Sequence, residues 1–197
     1  ALRNPSRVRT LIQIKGAQSA LDDVKTLIAT QCGVDLSQLR FQIRFVEHHL
    51  AHTASAYFIS PWEHAAGLTV DGSGDFVTCM MTRCEGSRIH VLKRLFVPHS
   101  LGSLYTAICQ FIGYPHYGDE GKVMGLASYG GKRYETAFRQ MVRLTDEGFE
   151  LDLSYFNFYM HRRRRFSEKL EELLGPERRR DEEISQRHMD VAAGLQS

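Results

Sequence analysis

The sequence has few cysteines and no long apolar run, and each lack excludes a class of protein. Its 4 cysteines form no Cys-x-x-Cys pair, and their spacings suit neither a zinc ribbon nor a small disulfide scaffold. Cysteines without a disulfide pattern indicate a reducing compartment, so we expect a cytoplasmic protein. The longest apolar segments fall far short of the ~20 residues that span a bilayer, so no membrane partner is expected. The N-terminal segment shows no signal-peptide pattern.

An excess of charge of one sign is also lacking. The 197 residues carry a formal net charge of +2, with 24% charged and 43% hydrophobic residues, as in an ordinary globular protein. Nucleic acid is therefore not an expected partner of the chain as a whole. The first residue is not methionine, which favours a processed or excised part of a longer chain.

Hydrophobic periodicity predicts an α/β chain. Apolar residues recur at helical spacing over 17–31, and Gly33 is a suitable helix stop. Residues 39–46 alternate apolar and basic side chains, which predicts a half-buried strand. A histidine-rich helix is predicted from about Glu47 to Ile59, before a proline.

The middle of the chain predicts a small sheet and a helix. Three β-rich runs separated by glycine turns indicate a three-stranded meander over 65–72, 76–86 and 88–97. The segment SLGSLYTAICQFIGY is then typical of a largely buried helix, with Ser100 or Ser103 as its cap.

The later part of the chain has weaker patterns. Four glycines between Gly118 and Gly130 favour a loop, and a helix is predicted over 132–145. The charged C-terminal part mixes Arg and Glu at spacings typical of solvated helices. The run Arg162–Arg165 leaves a second interpretation open, contact with phosphate or RNA, although acidic neighbours oppose its field.

The segment VEHHLAHTASAYF carries a candidate metal site. His48 and His52 stand four residues apart and share one face of the predicted helix. Asp71 ends an apolar strand, where α/β folds place chemistry. Two imidazoles and one carboxylate form a common ligand set for iron, and zinc or manganese also accept it. The pattern leaves open a plainer interpretation, in which the histidines hydrogen-bond to backbone groups.

Other candidates surround this set. His49 is rotated ~100° from His48, so it is predicted to support the ligands or to contact substrate. The turn DGSGD contains Gly72 and Gly74, whose amides either cradle phosphate or simply form a hairpin.

Two further residues are candidates for binding anionic groups. Lys122 is either a phosphate contact or an exposed loop cation. His99 precedes a helix N-terminus, where anions bind, and is predicted to lie near substrate. His49 and His99 are thus the catalytic candidates.

Four segments in this order resemble one family, the nodulation-type O-carbamoyltransferases. They are VEHHLAHTASAYF, LTVDGSGDFVT, PHSLGSLYTAICQFIGY and DEGKVMGLASYG, and the resemblance covers residues 45–134. It implies part of an actin/Hsp70-like (RNase H-like) ATPase fold. It also implies ATP-dependent transfer of a carbamoyl group from carbamoyl phosphate, through carbamoyladenylate, to the hydroxyl of a sugar or natural product. On this pattern His48, His52 and Asp71 hold a metal ion, iron by the family's example.

The chain also departs from this family. We expect residues 135–197 to be a charged helical extension. The family's opening phosphate-loop strand, its second nucleotide-binding segment and its YrdC-like domain are not found in the sequence. The remainder of the same chain is therefore an expected partner, and the fragment is expected to be inactive alone. Relatives tend to have Ser-Gly-Glu before KVMGLA, so whether Asp119 or Glu120 takes the corresponding role stays open.

Two alternative functions remain. The resemblance also extends to enzymes of the same fold that transfer threonylcarbamoyl to tRNA or mature hydrogenases. A non-enzymatic alternative is an RNA-binding or interaction module that uses Arg162–Arg165.

Overall fold

The structure, a computed structural model, describes residues 24–159 and 163–197. The chain divides into two compact units, Ala1–Glu47 and His48–Ser197. Helices accompany two small antiparallel sheets, which confirms the α/β prediction in its coarse form. None of the helices in the described ranges combines the length and apolar character that a bilayer-spanning segment requires.

The first unit contains one helix and a short 3₁₀ turn. Helix α1 covers residues 24–32 and ends at Gly33, whose φ of 64° suits a helix C-terminus. The helix and its stop are as predicted, while 17–23 lie outside the described residues. The 3₁₀ turn spans Leu36–Gln38.

The strand predicted at 39–46 is wrong. Residues 39–47 form no regular element, and Phe45 and Val46 are 59% and 64% exposed. Alternating side chains indicate which residues suit a half-buried face, but a strand also needs a partner for its backbone groups. The alternation in LRFQIRFV provides no such partner.

The second unit begins with the histidine helix and the meander, both as predicted. Helix α2 is His48–Tyr57, and three antiparallel strands follow in sequence order: β1 His64–Gly74, β2 Val77–Glu85 and β3 Arg88–Phe96. Strand β2 lies in the centre and is the most buried of the three. Helix α2 packs on β1.

The turn between β1 and β2 falls later than DGSGD suggests. Asp71 to Gly74 belong to β1, with an irregular register between Val70 and Gly74. The two central turn residues are Asp75 and Phe76, at φ of 52° and 67°. Residues other than glycine occupy this left-handed region at a cost of roughly 1–2 kcal/mol each.

Helix α3, Leu101–Phe111, begins at the cap Ser100, as predicted. The glycine-rich segment after it is not a loop, so that prediction is wrong: residues Glu120–Ala127 form helix α4. Helix α4 packs against the C-terminal helix and buries Val123 completely. Burial of one apolar face outweighs the weak helix propensity of its two glycines.

The helix predicted over 132–145 is only half correct. A 3₁₀ turn and helix α5, Glu135–Met141, occupy its first part. Residues Val142–Thr145 are instead strand β4, which pairs with β5, Gly148–Leu151. Apolar and polar residues alternate before and after Asp-Glu-Gly, and this pattern was the hairpin signal that was missed.

The C-terminal part is less solvated than predicted. Helix α6 is Glu168–Leu174 and helix α7 is Gln186–Gln196. Both helices contribute fully buried residues to a core that they share with α3, α4 and α5; among these are Phe111, Val123, Met141, Leu170, Leu174 and Val191. Even Arg178 is only 9% exposed, and its guanidinium donates to the Ile112 carbonyl beyond the end of α3.

Candidate metal centre

Three predicted ligand atoms meet at one point of the second unit. His48 Nε2 lies 2.8 Å from Asp71 Oδ2 and 3.0 Å from His52 Nε2. The third side of this triangle, from His52 Nε2 to Asp71 Oδ2, measures 3.6 Å. The two histidines come from one face of α2, and Asp71 comes from β1. The plainer interpretation, with both histidines bonded to backbone groups, does not describe these side-chain contacts.

This arrangement suits a cation. Two imidazole nitrogens and a carboxylate oxygen face one another, and either protons or one metal ion can link them. The atoms are close enough for one ion, at the ~2.0–2.2 Å typical of bonds to such ligands, to contact all three. The donor set therefore fits a divalent transition metal.

The carboxylate is held in its charged form. The hydrogen bond with His48 lowers the pKa of Asp71, and the amide of Gly72, which donates to Oδ1 at 2.6 Å, lowers it further. Partial burial acts in the opposite direction. A carboxylate that stays ionised is a competent metal ligand over a wide pH range.

Close backbone approaches fix the position of Asp71. A Cβ on Gly102 would come within 2.4 Å of the Gly72 amide nitrogen, so only glycine lets α3 lie this close to β1. The cap Ser100 donates to the carbonyl oxygens of Asp71 and Gly72, at 3.0 and 2.7 Å. The N-terminus of α3 thus supports the strand end that carries the acidic ligand.

His49 is buried beneath the site and is 0% exposed. Its Nε2 donates to the carbonyl of Val77 at 2.9 Å, and its Nδ1 lies 2.7 Å from the hydroxyl of Thr69. These contacts join α2 to β1 and β2. His49 therefore holds the helix on the sheet. Its catalytic role stays a prediction.

The predicted glycine contacts differ in their surroundings. A Cβ on Gly72 would meet nothing within 4 Å, so the space beside its Cα is open, while its amide donates to Asp71 Oδ1. A Cβ on Gly74 would lie 2.1 Å from ring atoms of His48. The lack of a side chain at Gly74 is therefore explained by the close approach of a metal ligand.

Lys122 and His99 lie on other elements. Lys122 belongs to α4, where its Nζ is 2.7 Å from Asp119 Oδ1, and this contact lowers the pKa of Asp119. His99 precedes α3, and its Nδ1 accepts the amide hydrogen of Leu151 at 3.0 Å. The phosphate role of Lys122 and the catalytic role of His99 stay predictions.

Glu120 has a local role in the structure. Its two carboxylate oxygens accept from the Thr106 hydroxyl at 3.2 Å and from the Gly118 amide at 3.0 Å. Asp119 likewise accepts from the amide of His116, at 2.9 Å. Both carboxylates thus order the entry to α4.

The arginine run is tied to neighbouring residues. Arg164 pairs with Glu171 and lies over the ring of Phe166. The Gln110 side chain contacts the backbone on both sides of Arg164: it accepts from the amide of Arg165 and donates to the carbonyl of Arg163. Among the described residues of the run, these contacts indicate a structural role, and RNA binding stays a prediction.

Sequence reasoning missed the residues that support the ligands. Ser100 appeared only as a helix cap, and Gly102 and Asp75 carried no predicted role in the site. A glycine in the first turn of a predicted helix was the available signal for a close approach at Gly102. Asp75 gave no signal of its own.

A family model described as carbamoyltransferase N-terminus matches residues 3–197. An uncharacterised protein of Synechocystis sp., sll1178, is 36% identical over 93% of this chain and 28% of its own length. The nodulation protein NolNO of Sinorhizobium fredii is 33% identical over 88% of this chain and 24% of its own length. The nodulation protein NolO of Bradyrhizobium diazoefficiens is also 33% identical, over 77% of this chain and 26% of its own length. The chain spans about a quarter of the length of these relatives.

Proposed function

The chain belongs to the carbamoyltransferase N-terminal family, and from this membership we propose that the full-length protein transfers a carbamoyl group to a hydroxyl acceptor. The donor is carbamoyl phosphate, which water cleaves to carbamate and inorganic phosphate. A carbamate oxygen then bonds to the α-phosphorus of ATP while pyrophosphate leaves, and carbamoyladenylate is formed. The acceptor oxygen then bonds to the carbamoyl carbon while AMP leaves, and the hydroxyl proton passes to a base. A sugar or natural product is the acceptor class.

We further propose that His48, His52 and Asp71 hold a divalent metal ion, iron in the first place and manganese or zinc otherwise. The observation that carries this proposal is the triangle of possible ligand atoms, with sides of 2.8, 3.0 and 3.6 Å. A bound ion would neutralise the negative charge of phosphate-bearing reactants. The chain's own contribution is to fix two ligands on a helix and the third on a strand end.

The neighbouring backbone supports a role in phosphate binding. Gly72 follows the acidic ligand directly, and the space beside its Cα is open. Lys122 is 64% exposed at its side chain, so it can turn from Asp119 toward an incoming phosphate. We propose Gly72 and Lys122 as nucleotide contacts, with His99 as the candidate for proton transfer.

The proposed fold is a lobe of the actin/Hsp70-like ATPase type. The antiparallel meander β1–β3, followed by α3, supports this proposal, since such lobes pack helices on a sheet. The nucleotide would bind between this lobe and further parts of the full-length protein, which include the proposed second nucleotide-binding segment and YrdC-like domain.

Two measurements on the full-length protein test the proposal. The first is metal content and Co²⁺ affinity for wild type, His52→Ala and His90→Ala, the last altering an exposed histidine on β3. We expect His52→Ala to bind Co²⁺ at least about tenfold more weakly, because a loss of that size is typical even when a residue that only supports a ligand is mutated. His90→Ala should bind as wild type does.

The second measurement is ATP–pyrophosphate exchange with and without carbamoyl phosphate. Stimulation by carbamoyl phosphate is the expected result, and His52→Ala should reduce it. If a metal-loaded protein exchanges pyrophosphate at the same rate with and without carbamoyl phosphate, the proposed reaction is contradicted, whereas the proposed metal site is not. Equal metal binding by His52→Ala and wild type would contradict the site itself.

A further inference from the structure

The turn between β1 and β2 is unusual for a two-residue hairpin. Both central residues have positive φ, the conformation for which Asn-Gly is the favoured sequence. Asp75 and Phe76 stand there instead, and a bulky residue such as Phe is an outlier in this region. A backbone of this kind persists where other contacts hold it.

One such contact runs from the turn to the histidine helix. Oδ2 of Asp75 accepts the backbone amide hydrogen of His48 at 2.9 Å. His48 is the first residue of α2, where amide groups lack partners within the helix. A carboxylate at this end also interacts favourably with the helix dipole. Asp75 therefore caps α2 from 27 residues further along the chain.

The end of β1 and the turn after it contact His48 at three points. Asp71 meets its Nε2, Gly74 lies under its ring, and Asp75 accepts from its backbone amide. The other side of the turn is anchored as well, because the Phe76 carbonyl accepts from the amide of Val97 at 3.0 Å. The position of the first imidazole ligand thus depends on the end of the strand that carries the acidic ligand.

We infer that Asp75 is a positioning residue for the candidate metal centre: its carboxylate fixes the start of α2 and so aims His48 at Asp71. The inference rests on the proposed metal-binding role of the site. It explains why an acidic residue occupies a left-handed position that glycine would adopt at less cost. The inference places Asp75 outside the set of metal ligands, so that it acts through His48.

Substitutions at the turn separate positioning from plain turn formation, because the two roles predict opposite effects for glycine. Asp75→Gly removes the conformational cost of a left-handed backbone at residue 75, but it also removes the carboxylate that accepts from the His48 amide. Asp75→Asn keeps an acceptor oxygen and tolerates positive φ. Phe76→Gly removes the same conformational cost at residue 76 and leaves the Asp75 carboxylate in place, so it is the matched control.

The first readout is Co²⁺ affinity of the full-length protein, with the visible absorption of the bound ion as a signature of its ligand geometry. We expect Asp75→Gly to bind Co²⁺ about ten- to a hundredfold more weakly and with an altered spectrum, whereas Asp75→Asn and Phe76→Gly stay within about threefold of wild type. Binding by Asp75→Gly as tight as by Phe76→Gly would overturn the inference.

The second readout needs no metal. Amide hydrogen exchange at the first turn of α2, measured on the metal-free protein, should accelerate in Asp75→Gly and stay unchanged in Phe76→Gly. If wild type binds no Co²⁺, the proposed metal site fails, and this exchange result still decides whether Asp75 holds His48. Unchanged exchange in Asp75→Gly would show that the cap does not position the helix.

Discussion

The ring of His48 lies directly against the Cα of Gly74, where an added Cβ would come within 2.1 Å of ring carbons Cγ and Cδ2. Gly74→Ala would force the ring away from Asp71, since both the strand and the start of α2 are held by hydrogen bonds. We expect at least about tenfold weaker Co²⁺ binding by the full-length protein, measured by titration.

Gly72→Ala is the control for this change. Its Cβ would meet nothing within 4 Å, so Co²⁺ affinity should stay near that of wild type. If Gly72 contacts phosphate as proposed, the same variant should weaken ATP binding instead. Equal loss of Co²⁺ affinity in the two variants would show that Gly74 has no special relation to His48.

At the scale of residues, the sequence predicted the ligand atoms better than their supports. His48, His52 and Asp71 could be chosen because helical spacing and a strand end are local patterns. The contacts of Asp75 and Gly102 could not, because they join residues 27 or more positions apart and depend on how α2, β1 and α3 pack. Local periodicity contains no information on such approaches.

Among the helices, α7 contains a histidine whose surroundings disfavour its charge. His188 is 5% exposed, and burial lowers its pKa below the ordinary value, with Arg187 and Arg178 adding to the effect. Below the ordinary pKa of about 6.5, the unfolded chain binds a proton that the folded chain does not. The stability of the fold should therefore be full above that pH and decrease as pH falls through it toward the lower folded pKa.

We expect His188→Gln to remove part of this acid sensitivity. The measurement is the thermal unfolding midpoint of the full-length protein between about pH 7.5 and pH 5.5, where the histidine should titrate. His90→Gln, an exposed change on β3, should keep the wild-type dependence. If the unfolding midpoint of His188→Gln falls as steeply with decreasing pH as that of wild type, other groups cause the acid sensitivity.

At the scale of elements, caps and periodicity predicted α2, the meander and α3 correctly. The errors arose where packing decides. Helix α4 forms despite Gly121 and Gly125 because it buries Val123 against α7. Residues 39–46 alternate like a strand but form none.

For the whole molecule, the outer face of β1 is the most informative surface. Leu68 and Val70 lie two residues apart on that face, and they are 65% and 46% exposed. Apolar side chains on a sheet are normally covered by a second layer. The chain spans about a quarter of the length of its relatives, so we expect another part of the full-length protein to cover this face.

Metal binding should also be visible in the stability of the whole folded protein, because an ion that binds only the folded state stabilises it by mass action. At a free Co²⁺ concentration of a hundred times Kd, the stabilisation would be about 2.7 kcal/mol. We expect the unfolding midpoint of wild type and of His90→Ala to rise with Co²⁺ concentration, and that of His52→Ala to rise much less. Since His52 and Asp71 come from different elements, α2 and β1, unfolding separates them and the ion loses its site. An equal rise in all three proteins would place the stabilising ion somewhere other than the triangle formed by His48, His52 and Asp71.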